Sequence, residues 1–368
     1  MDAPDAAPLR VGVWILAEGS HRTLEDPEKL RRLLADAEAA GISDLFMQLH
    51  RAGKSWYPAA FADSTPYQKL LEVHGDNPLP GFIQAAHERG IRVHAWFNTL
   101  CLAGNQEAPL LQAVGEQAVR VDREGRSMLG YPKLDYPVPE RFHRRMGTPG
   151  IWLDPAVPGV IEHLESSVDE LVAALPQLDG LHLDFIRHPM TLPIVPGSRF
   201  DVGMDFGYSE LSRARFETET GSKFRRGDAW DQFRRDRVTE VVERLHARVP
   251  ESWAMSAAVL PWADRAYLSA MQDWRAWLES GALDFAVAMA YSRDDRLLGY
   301  VSAGLRGGVG GERVWLGLGS WLFAKQPAGV QTQIDIALRS RPAGVVLFSY
   351  DALADQSELL RSLRWQLP

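Results

Sequence analysis

The chain has 368 residues and a formal net charge of −8, with 46% hydrophobic and 24% charged residues. This balance suits a globular protein and lacks the basic face that a nucleic-acid binder needs. No apolar run is long enough for a membrane span, and the single Cys101 excludes an internal disulfide or a cysteine zinc cluster, so it reads as a buried, inert thiol.

Residues 1–8 open with Met1-Asp2-Ala3-Pro4-Asp5, with no basic segment and no apolar one, and read as a disordered tail rather than a signal peptide. A secreted or periplasmic location would require a signal already removed; otherwise the expectation is cytoplasmic. Residues 9–368 then alternate between strand and helix patterns in one uninterrupted domain. Residues 10–16 are the first strand. Asp26-Pro27 opens a helix as N-cap and first-turn proline, Leu30, Leu33, Leu34 and Ala37 form its apolar stripe, and Gly41 closes it. Strands follow at 44–50 and 92–98, with a short helix at 82–89 between them. An irregular stretch rich in Gly, Pro and Tyr covers 100–152. Asp154-Pro155 repeats the helix-opening pair, ahead of a buried face at Ile161, Leu164, Val168, Leu171 and Leu175.

The fourth strand is the apolar run Gly180-Leu181-His182-Leu183-Asp184, with Phe185-Ile186-Arg187-His188-Pro189 behind it. A long connection at 190–228 follows, helical near 209–218, and then a charged helix at 230–249. The fifth strand is 254–259. Tyr267, Met271, Trp274 and Leu278 step along one helix, which Gly281 ends. Strands at 285–291, 314–319 and 344–350 and a last helix at 359–365 complete the chain. About eight strands, most followed by a helix, fit a single (β/α)₈ TIM-type barrel with long βα loops after strands 3 and 4. A doubly wound open sheet would carry a glycine-rich phosphate loop after the first strand, where this chain has Ala17-Glu18-Gly19-Ser20-His21. The Gly307-Gly308-Val309-Gly310-Gly311 run precedes a strand and reads as a loop.

Barrel active sites lie at the carboxyl ends of the strands. Those ends carry Trp14, Glu18, His50, Trp96, Asn98, Asp184, Arg187, Trp262, Tyr291, Asp294, Asp295, Trp321, Tyr350 and Asp351. Aromatic faces cover the C–H faces of pyranose rings, while amides, imidazoles and carboxylates bond their hydroxyls, so the set suits a sugar. The two long loops fall on the same rim and are expected to form a cleft, with Tyr131, Tyr136, Phe206 and Tyr208 on them. His182, Asp184 and Ile186 share one strand face. A carboxylate in an apolar run is costly to bury unless it is paired or used. Asp184 either pins the turn through an ion pair with Arg187 or serves chemistry, and His182 either bonds a substrate hydroxyl or sits satisfied in the core.

Val11-Gly12-Val13-Trp14 and the segment from His87 through Ala95-Trp96-Phe97 resemble the opening of glycosyl-hydrolase-like family 10. Trp152-Leu153-Asp154-Pro155 followed by Asp179-Gly180-Leu181-His182-Leu183-Asp184 is similar to its central signature, and Trp274-Arg275-Ala276-Trp277-Leu278, Tyr291-Ser292-Arg293-Asp294 and Leu347-Phe348-Ser349-Tyr350 extend the likeness. The resemblance implies a (β/α)₈ barrel that hydrolyses glycosidic bonds, some members being similar to enzymes that cut bacterial peptidoglycan glycan strands. The family often has two adjacent aspartates after the fourth strand; here the second is Phe185, so only Asp184 carries over.

Glycoside hydrolysis asks for two carboxyl groups flanking the scissile bond. Asp184, kept ionised by Arg187, is the expected nucleophile of a retaining enzyme, and Asp294, across the mouth just past the sixth strand, the expected acid. Asp295, Asp351, Glu18 and Asp205 are the alternatives for the second role, and Asp154 is read as a helix N-cap. Trp14, His50, Trp96, Asn98, His182, Arg187, Tyr291, Trp321, Tyr350 and Asp351 are the expected substrate-binding residues, with a carbohydrate substrate, no metal and no cofactor. Two other classes stay open. One is a carbohydrate-binding barrel without catalysis, which the Phe185 departure keeps open. The other is a metal-dependent hydrolase using His182 and Asp184, which would want a His-x-His pair on the first strand, where the chain has Val11-Gly12-Val13-Trp14.

Overall fold

The computed structural model describes residues 8–133, 145–146, 148–189, 191–192 and 205–367. Eight strands pair side by side in chain order: β1 (Arg10–Ile15), β2 (Asp44–Arg51), β3 (Arg92–Asn98), β4 (Gly180–Asp184), β5 (Ala254–Val259), β6 (Phe285–Met289), β7 (Val314–Gly319) and β8 (Gly344–Phe348). All eight pairings are parallel, and β1 bonds both β2 and β8, so the sheet closes. The alternation read from the sequence thus resolves into a (β/α)₈ barrel. Among the described residues no helix is long and apolar enough to cross a membrane.

Side-chain alternation along each strand sends one set of residues into the barrel and the other against the helices. The inner set holds Trp14, Phe46, Trp96, Ala258, Phe285, Val287, Trp315 and Val346. Such large rings fit because glycines face them. A Cβ on Gly317 would lie 2.9 Å from the Trp14 ring, and one on Gly344 only 2.4 Å from the Trp315 ring. Large and small residues therefore interdigitate to fill the interior. At its amino end the barrel closes on Asp44, which has no exposed surface. Asp44 accepts from Arg10, Arg92 and Ser43 and bonds the His94 imidazole, itself stacked on Phe46. Burial pushes the Asp44 carboxyl up, but His94, Arg92 and Arg10 outweigh it and hold its pKa below the usual value.

The two long connections dock on one another beside the end of β4. Isolated bridges join Cys101 to Trp152, Val119 to Leu153 and Asp122 to Phe206, and the amides of Gly207 and Tyr208 donate to Val121. Phe206 is buried, and Tyr208 is packed with Ala156, Phe216, Trp230 and Phe233, so these two aromatics fill a core instead of facing a cleft. Tyr136 and the side chain of Tyr131 lie outside the described residues.

Three local readings change in the folded chain. Asp154 is not a helix N-cap: the helix starts at Pro158 behind Val157, and Asp154 instead accepts from the Ala156 amide and from the hydroxyls of Ser209 and Ser212. That set ties the start of this helix to the second long loop. The single helix expected around Tyr267 and Trp274 is two, Ala263–Ser269 and Trp274–Ser280, broken at Met271 with φ +51°. The break frees Gln272, whose buried amide accepts from Leu260 N and donates to the carbonyls of Ile186 and Ala258. The helices Thr65–His74, Asp295–Gly307 and Ala328–Arg339 complete the outer layer without having been marked by periodicity alone.

Gly180 opens β4 where space is shortest: a Cβ there would sit 2.4 Å from the Ala254 carbonyl oxygen and 2.5 Å from His94 Nδ1. Gly180→Ala should therefore cost at least ~1–3 kcal/mol of stability through overpacking. A urea-unfolding midpoint equal to that of the parent would contradict the packing described for the barrel's amino end.

Candidate active site

Asp184 ends β4, and strand register sets it beside Asn98 at the end of β3. Both side chains are almost fully buried, each 7% exposed. The Trp96 indole donates to Asp184 Oδ2 at 3.1 Å, and the Phe185 amide donates to Oδ1 at 2.7 Å. Phe185 holds φ +53°, the left-handed region that a bulky residue enters at a cost of ~1–3 kcal/mol and an aspartate enters more readily. Its ring lies edge-on to Trp152, and the Arg187 guanidinium stands over both rings, 4.9 Å from Trp152 and 5.4 Å from Phe185.

Arg187 makes no direct ion pair with Asp184. Its Nη1 donates to the His188 carbonyl, and its charge acts on Asp184 across space. Burial is the larger influence: it raises the Asp184 pKa above the ordinary carboxylate value against the Phe185 amide, Arg187 and Trp96. Arg187 favours the charged form of Asp184, as expected, but burial outweighs it. Asp184 is the kind of carboxyl that holds a proton to higher pH. Tyr291, just past β6, belongs to the same neighbourhood: burial pushes its phenol well above its usual range, and the Asp184 charge adds to the effect. The Tyr291 ring also meets Phe348 at the end of β8, 5.6 Å between centroids. Cys101 lies nearby with its thiol pushed up to about 11, chiefly by burial.

Beneath this group, Trp14 and His182 form part of the barrel interior. The Trp14 indole donates to His182 Nε2 at 3.1 Å, and His182 Nδ1 donates to Ser256 Oγ at 2.9 Å. An indole only donates, so the imidazole carries its proton on Nδ1 and both nitrogens are used. His182 has no exposed surface, and its pKa is driven well below the usual value, first by burial and then by His94. The satisfied-core reading is the one the structure gives; His182 has no nitrogen left for a hydroxyl or a metal. Among the described residues no group of three or more His, Cys, Asp or Glu converges as metal ligands.

Other expected residues fall elsewhere. A bulge between Gln48 and His50 pairs His50 with Phe97, which turns His50 out of the barrel. There it stacks on Phe97 and donates to the Tyr57 hydroxyl, and burial lowers its pKa to about 3. Tyr350 is fully buried and donates to Asp36 on the helix Pro27–Ala39, and Asp351 accepts the His21 amide, latching the first βα loop. Trp321 stands on the rim, 49% exposed. Asp294 is also on the rim, as the N-cap of the helix Asp295–Gly307, with Oδ1 accepting from the Leu297 amide. The alternatives for a second carboxylate are engaged: Glu18 with Arg51 and Lys54, Asp205 with Arg234 and Tyr208, Asp295 with Gln333.

Two contributors were missed in the sequence. Gln48 accepts from the Ala17 amide and donates to Asn98, fixing the residue beside Asp184, and Ser256 orients His182. Gln48 was legible in principle, because it continues the inward alternation of Asp44 and Phe46. A depression of about 660 Å³ between Arg10, Arg92, Trp253 and Trp315 lies at the opposite end of the barrel from Asp184, the face where barrels build stability.

The protein shares its fold with glycoside-hydrolase barrels. The PgaB (BpsB) glycoside hydrolase domain from Bordetella bronchiseptica covers 97% of this chain and 99% of its own at a TM-score of 0.67 and 13% identity. The catalytic domain of β-amylase from Paenibacillus polymyxa superposes with a TM-score of 0.60 over 98% of each chain at 12% identity. In sequence, the glycosyl hydrolase DigH of Escherichia coli strain K12 is 25% identical over 275 residues, 68% of this chain and 55% of its own length. The glycosyl hydrolase YngK of Bacillus subtilis strain 168 is 21% identical over 289 residues, 73% of this chain and 49% of its own. The chain thus spans about half the length of the curated relatives it matches. The model of the family Glycosyl hydrolase-like 10 matches residues 8–296. On that match the chain belongs to glycosyl hydrolase-like family 10.

Proposed function

We propose that the protein hydrolyses glycosidic bonds in an oligo- or polysaccharide, with a bacterial cell-wall glycan as the leading substrate class. The observation that carries this reading is Asp184: a carboxyl at the end of a central barrel strand, buried, oriented by an indole and an amide, with its pKa raised. Protonating the departing glycosidic oxygen requires such a group. The roles expected from the sequence therefore exchange. Asp184 is the proton donor. Asp294 is the second carboxylate, activating water or stabilising the cationic transition state from the rim. What supports Asp294 is its place three residues past Tyr291, its exposure, and an Oδ2 that the helix cap leaves unused. The capping bond also argues for testing it separately. Membership of the family and the barrel fold agree with hydrolysis, and the names of the DigH and YngK relatives point the same way. A sugar-binding barrel without catalysis would keep the same rim but not need the raised carboxyl.

Asp184→Asn should abolish turnover of glycan substrates while leaving their binding intact, because it removes a proton transfer made only during reaction. In the parent protein kcat/KM should fall as pH rises through the Asp184 pKa, since the protonated form is the active one. The same raised pKa makes a stability statement. Between the unfolded aspartate pKa and the raised folded one, the folded chain binds a proton that the unfolded chain lacks, so stability declines as pH rises. Asp184→Asn should accordingly raise the melting temperature at pH 7, an advantage that shrinks as pH falls through the raised folded pKa and is gone below the unfolded aspartate value. An inactive variant with a lowered melting temperature at pH 7 would reject the proton-donor assignment.

Asp294→Asn should reduce kcat by roughly 10²-fold or more if Asp294 acts on the water or the transition state. Loss of the helix cap alone would cost about 1 kcal/mol of stability and leave kcat nearly unchanged. Kinetics and thermal unfolding on the same variant separate the two.

A further inference from the structure

Two side-chain amides at the barrel mouth have their orientations dictated by the backbone. Gln48 lies on the inward face of β2, two residues past Phe46, and is almost fully buried. Its Oε1 accepts from the Ala17 amide at 3.2 Å. A backbone N–H only donates, so the end of Gln48 that meets it must be the oxygen. Nε2 is therefore the other end, and it donates to Asn98 Oδ1 at 3.3 Å. The same logic carries one step further: Asn98 turns its oxygen to Gln48 and its Nδ2 elsewhere. The loop that carries the Ala17 amide is itself latched, because Asp351 accepts the His21 amide. Asn98 Nδ2 has no partner among the described residues, and it is not one of the unpartnered polar atoms sealed in the interior.

We infer that Asn98 Nδ2 donates a hydrogen bond to a substrate oxygen beside the scissile bond, and that Gln48 is the residue that positions it; the inference rests on the proposed glycan substrate. Register pairs Asn98 with Asp184 across adjacent parallel strands. Trp96, two residues before Asn98 on β3, bonds the Asp184 carboxyl from inside the barrel. Asn98 shares the face of Trp96, so the Asn98 amide and the Asp184 carboxyl stand side by side at the strand ends. The Thr99 amide donates to the Asp184 carbonyl and fixes that spacing. Asp184 takes its own donors from Trp96 and Phe185, which leaves Nδ2 unspent. With Asp184 protonated, this corner of the mouth offers two donors, the acid O–H and Nδ2. It therefore selects a sugar that presents acceptor oxygens there. A donor left without its acceptor costs binding, which is how such a group discriminates. The acceptor is a hydroxyl oxygen or the carbonyl of an N-acetylated ring, and both offer the same lone-pair chemistry to an amide N–H.

The test uses the whole chain and three soluble probes: β-1,4-linked N-acetylglucosamine hexamer, β-1,4-linked glucose hexamer and solubilised peptidoglycan glycan strands. Binding is followed by calorimetry on the Asp184→Asn background, and steady-state kinetics on the active one. Asn98→Ala should weaken binding of the recognised probe roughly tenfold and raise KM by about the same factor, with kcat within about threefold of the parent, because the bond is made on binding and kept through the reaction. Gln48→Met should cost roughly threefold or more in the same two quantities, and nothing further in the Asn98→Ala background, because it acts through Asn98. A loss confined to the N-acetylated probes identifies the acyl carbonyl as the acceptor, and a loss shared with the glucose hexamer identifies a hydroxyl. A lowered melting temperature with parental affinity and KM would make both amides structural and overturn the donor. Additive losses from the two substitutions overturn the positioning role of Gln48. A loss confined to kcat, with binding intact, overturns the bond to substrate. If the parent cleaves a probe that Asn98→Ala binds as well, the donor fails and the hydrolase stands. If the parent binds a probe without cleaving it and Asn98→Ala loses it, the hydrolase fails and the donor stands. No probe bound at millimolar concentration overturns both.

Discussion

Two indole N–H groups inside the barrel hold the fourth strand's polar residues in place. Trp14 donates to His182, and Trp96 donates to Asp184. An indole is a donor only, so each bond dictates what its partner must be: an unprotonated imidazole nitrogen in one case, a carboxyl oxygen in the other. The Trp14 ring can occupy the interior because Gly317 leaves room for it, as Gly12 does for Phe46 and Gly344 for Trp315. Packing at the bottom of the barrel and orientation at its mouth are therefore one arrangement, and the aromatic volume that fills the core also orients Asp184.

The same enclosure sets the electrostatics. Asp184 has a cation in its surroundings and two N–H donors on its oxygens, each of which favours the charged form. Burial outweighs them because the guanidinium of Arg187 is drawn away over Trp152 and Phe185 and bonded to the His188 carbonyl. At the other end of the barrel the balance is opposite. Asp44 is equally enclosed, yet Arg10, Arg92 and His94 touch it directly and hold it below its usual value. Contact with a cation, as against proximity to one, is what separates a carboxyl held below its usual pKa from one raised above it.

Around the mouth the strand ends divide into two groups. Asn98, Asp184 and Tyr291 gather together, while His50, Tyr350 and Asp351 fasten helices and loops to the barrel. The second long loop contributes anchoring as well: Ser209 and Ser212 reach back to Asp154, and Tyr208 packs into a cluster of its own. Exposed aromatic rings stand on the rim at Trp262 and Trp321.

The sequence by itself determined the barrel, because strand and helix periods are local properties that survive in any context. It also located Asp184, since a carboxylate at the end of an apolar strand is visible without neighbours. Asp26 capped its helix as read, for the same local reason. Only the tertiary structure decided the rest. A one-residue bulge after Gln48 turned His50 to the outer face, and no pattern in the strand announces it. Asp154, read as a helix cap, instead bonds serines 55 and 58 residues away, whereas Asp294 does cap a helix, because an Asp before a helix looks alike in both places. The helix expected through Met271 broke so that Gln272 could reach Ile186, a partner 86 positions distant. The proton affinity of Asp184 was beyond the sequence for the same reason: it depends on how much water is excluded and where Arg187 points, and both are set by residues far apart in the chain.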